Sequence, residues 1–164
     1  MKCAIMFIII MVTVLLAIVL PIAGCADEPV VGAINDTATV ALIQFEDQED
    51  GISGVVYRQI NRFTAFLAAS DVPVLVAFYS AFSADNALII PQLEQMADDY
   101  HGKLQIVWID AGVETELAAS FGVEKLPQFT VVVDGALKRS LIGYNDQGAV
   151  RIKELLAPYL GDET

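Results

Sequence analysis

A continuous apolar segment followed by a helical pattern is the most regular part of this chain. Residues 74–79 (Val-Leu-Val-Ala-Phe-Tyr) form an unbroken apolar run whose length is that of a buried strand. Ser80 and Ser83 follow as two candidate helix N-caps, and apolar residues then recur at helical spacing. Pro91 falls inside this helical pattern, where it predicts a kink. The pattern therefore predicts a buried strand, a short turn and a helix that begins near Ser83.

Two elements are predicted before this strand. Residues 39–45 (Thr-Val-Ala-Leu-Ile-Gln-Phe) form a candidate first strand. Ser53 is placed to cap a helix that runs to about Ser70, because the apolar positions of this segment are spaced by four, three and four residues. The acidic block at residues 46–50 is predicted to be a solvated loop between the two elements. The positions of the helical stripe are Val56, Ile60, Phe63 and Leu67.

Strands and helices alternate through the rest of the chain. Asp134-Gly135 is a hairpin turn signal between the last two strands. Alternation that closes with a hairpin predicts an α/β domain with a mixed sheet and helices on both faces. The remaining predicted elements are the helix to Tyr100, a strand at 104–109, a short helix at 115–121, strands at 128–133 and 137–142, and a helix that Asp146 caps and that runs to Leu160.

The N-terminal segment predicts export. It has a positive start at Met1-Lys2, no charge in residues 4–20, and small residues before Cys25, which is the pattern of a secretory signal. Small residues directly before a cysteine also resemble the bacterial lipobox. This resemblance implies a signal peptide at residues 1–24 and lipidation of Cys25. The alternative is an uncleaved membrane anchor, although the apolar run is short for one. Either way we expect a domain tethered to a cell-envelope membrane, facing the periplasm or the exterior.

Charge and the scarcity of metal ligands limit the possible partners. The net charge is −12, so the surface should repel nucleic acid and anionic headgroups, and no nucleic-acid partner is predicted. His101 is the only histidine and cannot form a metal site alone; we predict a structural role at a helix end. The acidic block at 46–50 lacks the spaced oxygen ligands and the glycine of a calcium loop. We therefore predict neither a metal nor a cofactor.

The strand and helix described first resemble those of the thioredoxin family. In that family a Val-Leu-Val-Asp-Phe strand leads into Trp-Cys-x-x-Cys and a helix that contains a proline. Here residues 74–79 match the strand, Phe82 stands at the tryptophan, and residues 83–86 (Ser-Ala-Asp-Asn) occupy the Cys-x-x-Cys position. Pro91 falls at the helix proline.

Further motifs in the same order extend this resemblance from about Ser53 to Leu160. Leu126-Pro127-Gln128 resembles the family's cis-proline loop, and Gly122 before it resembles a glycine of the same family pattern. Gly135 resembles the family's hairpin glycine, and Gly143 resembles the glycine after its last strand. The resemblance implies a thioredoxin-like α/β fold with a mixed sheet of about five strands and helices on both faces. We expect this domain at residues 51–164, behind a tether at 25–50 that includes the first strand.

Four positions depart from the thioredoxin pattern. Ser83 and Asn86 stand at the two catalytic cysteines, Ala77 at the buried acid, and Ile106 at a lysine of the next strand. Dithiol chemistry needs a thiolate that attacks a disulfide, and both cysteines of this chain lie in the N-terminal segment. A buried charge that moves no proton only costs free energy, which explains the loss of the acid and the lysine. The sequence therefore predicts a protein that is not a redox enzyme.

Peptide or protein binding is the function that the sequence favours. In the thioredoxin family the loop before the cis-proline offers backbone groups to an extended peptide, beside the redox turn. An adaptor or a chaperone-like holder would use this groove. One alternative is an enzyme in which Ser83 is a nucleophile or polarises an external thiol; another is a passive structural lipoprotein. The predicted groove consists of Phe82, Ser83, Ala84, Asp85, Asn86, Leu126, Pro127 and Gln128.

Overall fold

The computed structural model of the chain describes residues 29–30, 39–47 and 53–161. The predicted signal peptide and Cys25 lie outside these residues. The described strands are β1 (Pro29–Val30), β2 (Val40–Asp47), β3 (Ser53–Gln59), β4 (Val74–Tyr79), β5 (Gln105–Asp110), β6 (Gln128–Val133) and β7 (Ala136–Ile142). The described helices are α1 (Phe63–Ala69), α2 (Asn86–Asp99), α3 (Thr115–Ser120) and α4 (Gly148–Leu156).

The described strands form one mixed sheet in the order β1-β3-β2-β5-β4-β6-β7. The pair β4–β5 is parallel and the other neighbouring pairs are antiparallel. This confirms the predicted fold class, with seven strands among the described residues instead of about five. The extra strands, β1 and β3, lie together beyond β2, at one side of the sheet.

Alternating side chains of the central strands bury both faces of the sheet. In β5, Ile106 and Trp108 join a core cluster with α2 and α4, whereas Val107 and Ile109 join a second cluster with α1 and α3. This two-residue period is that of a strand covered on both sides. The helices therefore pack on both faces, as predicted.

The predicted helix from Ser53 to about Ser70 is wrong over its first half. Residues 53–59 form β3, which pairs with β2 from Ala41↔Gln59 to Asp47↔Ser53, and α1 begins only at Phe63. The β-branched and aromatic run Val55-Val56-Tyr57 suits a strand, and pairing with β2 satisfies its backbone hydrogen bonds. The helical spacing was misleading because only Phe63 and Leu67 of the proposed stripe lie on a helix, where both are buried.

The acidic block begins inside a strand and not in a loop. Glu46 and Asp47 are the last residues of β2. The Arg58 guanidinium of β3 donates two hydrogen bonds to Glu46 Oε1, from Nη2 at 2.7 Å and from Nε at 3.0 Å. Ser53 Oγ donates a hydrogen bond to Asp47 Oδ1. These contacts help to set the register of the β2–β3 pair; residues 48–50 lie outside the described part of the chain.

Other predicted elements are confirmed, with corrected ends. The first strand is β2, and Asp134 and Gly135 form the predicted hairpin turn with φ angles of 54° and 70°. The last helix ends at Leu156 and not at Leu160. Asp146 does not cap this helix: Gln147 is at the N-cap position and no side chain caps the helix. Asn145 Oδ1 accepts a hydrogen bond from the Gln147 amide at 3.1 Å in the turn before the helix.

Tyr57 joins the outer strands to a helix by a side-chain hydrogen bond. Its hydroxyl donates to Glu94 Oε1 on α2. Burial, the hydrogen bond to Glu94 and the negative charge of Glu94 raise the pKa of Tyr57 above its usual value of 10.0. An unfolded chain therefore releases this proton at a lower pH than the folded chain does. The contribution of Tyr57 to the free energy of unfolding is therefore complete below about pH 10 and is lost as the pH rises further.

We expect Tyr57→Phe to reduce this alkaline loss of stability. The free energy of unfolding should fall less steeply above pH 10, by up to about 1.4 kcal/mol per pH unit for the one proton removed. Urea denaturation of the natural chain and of the variant at pH 8, 10 and 11 measures how steeply the free energy of unfolding of each falls with pH. At pH 8 the variant should be about 1 kcal/mol less stable because it lacks the hydrogen bond to Glu94. Equal slopes for the two chains above pH 10 would contradict this assignment.

Candidate functional site

The segment after β4 and the segment before β6 lie at the same end of the sheet. The strands β4 and β6 are antiparallel neighbours, with Phe78 opposite Gln128. The strand β5 ends at this same level, because Tyr79 is opposite Asp110, and β2 begins there. We call this the site end: the end of the sheet at which β4 and β5 stop and β2 and β6 start. It brings together the two halves of the predicted groove.

Two consecutive turns connect β4 to α2. The Ser83 amide donates to the Ser80 carbonyl at 2.9 Å, and the Asn86 amide donates to the Ser83 carbonyl at 3.3 Å. Both serine hydroxyls accept hydrogen bonds from the amide two residues later, Ser80 from Phe82 at 3.4 Å and Ser83 from Asp85 at 3.3 Å. Such local bonds are typical of turns that compete with a helix.

The helix therefore starts later than predicted. The first residue of α2 is Asn86, with Asp85 at the N-cap position and no side-chain cap. Asn86 Nδ2 donates to the Ser80 carbonyl at 2.9 Å, across the whole connection. The two residues at the Cys-x-x-Cys cysteine positions, Ser83 and Asn86, are thus engaged in holding the turns together.

The predicted groove residues divide into an exposed and an inward-facing group. Phe82 is 99% exposed, Ala84 and Asp85 are exposed, and Leu126 is 40% exposed. Gln128 is only 2% exposed, and its Nε2 donates to the Phe121 carbonyl at 3.4 Å and to Thr130 Oγ1 at 3.3 Å. The Gln128 side chain therefore supports the loop from beneath and is not presented to a ligand.

The cis-proline loop leaves the backbone of Leu126 without a hydrogen-bond partner among the described residues. The Leu126–Pro127 peptide bond is cis, as the resemblance implied. The Pro127 carbonyl accepts a hydrogen bond from the Gly143 amide at 2.8 Å. Among the described residues, nothing forms a hydrogen bond with the amide or the carbonyl of Leu126. Leu126 thus offers a backbone donor and a backbone acceptor at the site end.

Apolar side chains fill the region beneath the turns. Ala77 and Ile106 are both fully buried in the cluster that faces α2 and α4. Trp108 lies opposite Ala77 and stacks on Tyr79, with ring centroids 4.1 Å apart. Within residues 29–30, 39–47 and 53–161, no carboxylate or amine is buried, the buried polar side chains being Gln128 and Thr130. These residues therefore place no buried carboxylate or amine beneath the turns that hold Ser83.

The Tyr79–Trp108 stack is the feature of this region that the sequence analysis missed. Both rings belong to predicted strands, but their contact depends on the parallel register of β4 and β5. Burial, and then the negative charge of Asp110, raise the pKa of Tyr79 above 10.0, so this phenol stays neutral near neutral pH. The stack closes the core directly below the site end.

Among the described residues, none forms the hydrogen bond to Ser83 that a general base would need. Its hydroxyl interacts with the Asp85 amide, which is a donor. His101 follows the far end of α2, a helix of 14 residues that is about 21 Å long. His101 instead packs its ring edge-on against Phe45, at a centroid distance of 5.8 Å. In the described part of the chain, no three His, Cys, Asp or Glu residues are grouped to hold a metal.

The sequence profile of one family, described as Thioredoxin, matches residues 54–154 of this chain. The match runs from β3 into α4 and includes the turns after β4 and the cis-proline loop. It covers more than half of the chain, which therefore belongs to the thioredoxin family. The strand β2 lies outside the match, yet it stands between β3 and β5 in the sheet.

Individual relatives are thioredoxins of moderate similarity. The chain is 24% identical over 95 residues to the chloroplastic thioredoxin M-type of Zea mays, and the alignment covers 58% of this chain and 57% of that protein. It is 32% identical over 99 residues to the chloroplastic thioredoxin X of Arabidopsis thaliana, with 58% and 53% covered. For the thioredoxin of Haemophilus influenzae the identity is 26% over 92 residues, with 56% and 86% covered. The chain thus spans little more than half the length of the two chloroplastic relatives.

A solved structure shares the fold. The crystal structure of mitochondrial thioredoxin 3 from Saccharomyces cerevisiae, in its oxidized form, aligns with a TM-score of 0.53 and 20% identity. The alignment covers 58% of this chain and 86% of that one. Among the described residues of our chain, none of the helices is both long enough and apolar enough to span a membrane.

Proposed function

We propose that this member of the thioredoxin family binds an extended peptide or protein segment at the site end and has no dithiol redox activity. The observation that carries the proposal is the backbone of Leu126, whose amide and carbonyl have no partner among the described residues, at the same end of the sheet as the fully exposed Phe82. An adaptor or a chaperone-like holder would use both the Leu126 backbone and the Phe82 side chain.

The proposed absence of redox activity rests on the groups that dithiol exchange requires. The chain has two cysteines, Cys3 and Cys25, and neither lies within the family match at 54–154. Exchange needs a thiolate that attacks one sulfur of a disulfide and a second thiol that resolves the mixed disulfide. Serine and asparagine at positions 83 and 86 cannot replace them, and both hold the turns by hydrogen bonds.

Binding would use main-chain pairing for affinity and side chains for selection. An extended peptide that runs past Leu126 can accept a hydrogen bond from its amide and donate one to its carbonyl, as in strand addition. Phe82 supplies a large apolar contact, and aromatic residues of this kind are frequent hot spots of binding energy. Asp85 adds a negative charge beside Phe82, which favours a cationic group on the peptide.

The proposal includes a lipid tether at Cys25. Support comes from the uncharged run at residues 4–20 and from the small residues Ala23 and Gly24 directly before the cysteine. Cleavage there leaves Cys25 as the first residue of an exported chain, anchored in a cell-envelope membrane. A serine-based enzyme receives less support, because the partner of the Ser83 hydroxyl among the described residues is an amide donor and not a base.

Photo-crosslinking from position 82 tests the binding proposal. A photoreactive phenylalanine analogue at Phe82 is expected to capture a protein in cells, whereas the same analogue at Leu137 is not. Leu137 is the matched control because it is also an exposed apolar residue but lies at the opposite end of the sheet. A discrete band indicates an adaptor and a broad smear indicates a chaperone-like holder. Equal capture from both positions, or no capture from position 82, contradicts the proposal and favours a structural role.

Phe82→Ala is expected to separate binding from stability. A partner identified by crosslinking should bind the variant at least about tenfold more weakly, the loss typical of a hot spot. The free energy of unfolding should change by less than about 0.5 kcal/mol, since the ring is 99% exposed. Isothermal titration with the partner and urea denaturation measure the two quantities.

A further inference from the structure

The pairing of β1 shows at which end of the sheet the N-terminal tether leaves the domain. Pro29 is opposite Arg58 and Val30 is opposite Tyr57, so β1 is antiparallel to β3. The strand β3 runs toward the site end, because its last residue, Gln59, lies opposite Ala41 at the start of β2. Just after β3, the Ile60 amide donates a hydrogen bond to the Val40 carbonyl at 2.9 Å. The chain therefore enters β1 from the site end.

The proposed lipid lies close to this entry point. Cys25 precedes Pro29 by four residues. A chain of four residues spans at most about 14 Å even when fully extended. The strand β1 is four positions from β4 in the sheet, a lateral distance of about 19 Å at the usual strand spacing. A lipid on Cys25 would thus hold the site end near the membrane surface.

Exposed apolar side chains are concentrated at the same end. Among the described residues, seven large apolar side chains are exposed, and four of them belong to the site end. They lie at the ends of the neighbouring strands β5, β4, β6 and β7, a row of about 14 Å at the usual spacing. These four are Val113 just after β5, Phe82 just after β4, Leu126 just before β6 and Ile142 at the end of β7.

The charges around this apolar row select the kind of partner. Three acidic residues lie next to the same strand ends: Asp85, Glu114 and Glu124. The 124–127 loop contributes one cation, Lys125, and the whole chain carries a net charge of −12. Such a surface repels anionic lipid headgroups and attracts cationic groups. The bilayer itself is therefore a poor occupant, and an apolar segment with lysine or arginine is a good one.

We infer that the site end faces the membrane and receives an extended, apolar and cationic segment of a membrane protein, close to where that protein leaves the bilayer. This inference rests on the proposed function. It adds the orientation of the domain, set by the short tether, and the chemistry of the partner, set by the apolar row and its acidic surroundings. A partner segment far from the bilayer would be out of reach of the tethered site.

Fluorescence quenching in vesicles tests the orientation. The lipidated chain, cleaved before Cys25, carries Phe82→Cys or, as the matched control at the opposite end of the sheet, Lys103→Cys. Cleavage removes Cys3 and acylation blocks Cys25, so each variant has one thiol for a dye. In phosphatidylcholine vesicles with a quencher on the headgroups, the dye at 82 should be quenched at least twofold more than the dye at 103. A flexible spacer of 20 glycine and serine residues after Cys25, about 25 Å long on average, should remove this difference. Equal quenching with the natural tether, or stronger quenching at 103, overturns the inference.

Crosslinking to a designed peptide tests the occupant. Vesicles carry the lipidated chain with a photoreactive analogue at Phe82, together with a transmembrane peptide whose flanking segment contains phenylalanine, leucine and lysine. The matched peptide has glutamate in place of lysine. We expect at least tenfold more crosslinking to the cationic peptide, and at least threefold less when the spacer separates the domain from its lipid. Equal yields for the two peptides, or crosslinks to lipid alone, overturn the assignment of the occupant.

The same assay separates this inference from the proposed function. A soluble form of the cationic segment, without its membrane span, is added to the natural chain and to the spacer chain. If it crosslinks to both while the membrane-bound peptide does not, peptide binding stands and the membrane-facing orientation is wrong. If neither form crosslinks in any chain, the proposed peptide binding at the site end fails as well.

Discussion

Replacing Trp108 with alanine is expected to lower the free energy of unfolding by about 3–5 kcal/mol, the usual cost of removing a large buried aromatic side chain. The indole is 1% exposed in the centre of β5 and stacks on Tyr79 at 4.1 Å. Its removal leaves a cavity between β5 and the helices that cover this face, and it also removes the stacking contact. The loss is a large part of the total stability of an ordinary domain.

Urea denaturation of the chain without its first 25 residues measures the effect. Trp108→Phe keeps a stacking ring and should cost less than half as much as Trp108→Ala. The exposed Phe82→Ala variant serves as a surface control and should change stability by less than about 0.5 kcal/mol. A loss below about 1.5 kcal/mol for Trp108→Ala would mean that the neighbouring side chains collapse into the space, and would contradict the close packing described for this cluster.

Restoring both cysteines is expected to yield only a weak reductase. The natural chain should not reduce the disulfides of insulin in the presence of a dithiol. The double variant Ser83→Cys/Asn86→Cys should reduce them, but at a rate about 100-fold below that of an ordinary thioredoxin, because general acid–base groups contribute rate factors of about 10²–10⁴. At positions 77 and 106 this chain has buried apolar side chains where the family has an acid and a lysine.

Adding Ala77→Asp to the double cysteine variant tests the origin of this deficit. The rate should rise at least tenfold, while the free energy of unfolding falls by about 3–5 kcal/mol because position 77 is fully buried in an apolar cluster. Insulin precipitation assays and urea denaturation follow the two effects. A double cysteine variant that matches an ordinary thioredoxin would show that proton handling at positions 77 and 106 matters little.

The identity of the central elements could be predicted because each is determined by a local pattern. The strand at 74–79, the hairpin turn at Asp134-Gly135 and the helix that contains Pro91 all appear in the structure. The segments 83–86 and 126–128 were singled out by their likeness to thioredoxin motifs, and they lie at the same end of the sheet. Resemblance supplied what composition and periodicity could not.

Elements that depend on distant partners were predicted less well. Residues 53–59 have a spacing that suits a helix and side chains that suit a strand; pairing with β2 decided between them. The direction of Gln128 likewise follows from the alternation of β6, which turns its side chain into the core toward Phe121 and Thr130. A local pattern carries no information about which strand lies next to it or which face a helix will cover.

The sequence by itself determined the composition of the site: no cysteine after residue 25, serine and asparagine at the thiol positions, and a proline loop that ends in Gln128. Only the tertiary structure decided which of these residues face outward, that Leu126 has no hydrogen-bond partner for its amide and carbonyl among the described residues, and that β1 begins at the same end of the sheet. The physical reason is that side-chain identity is a property of one position, whereas exposure, hydrogen-bond pairing and direction arise from strand register, which joins positions far apart in the chain.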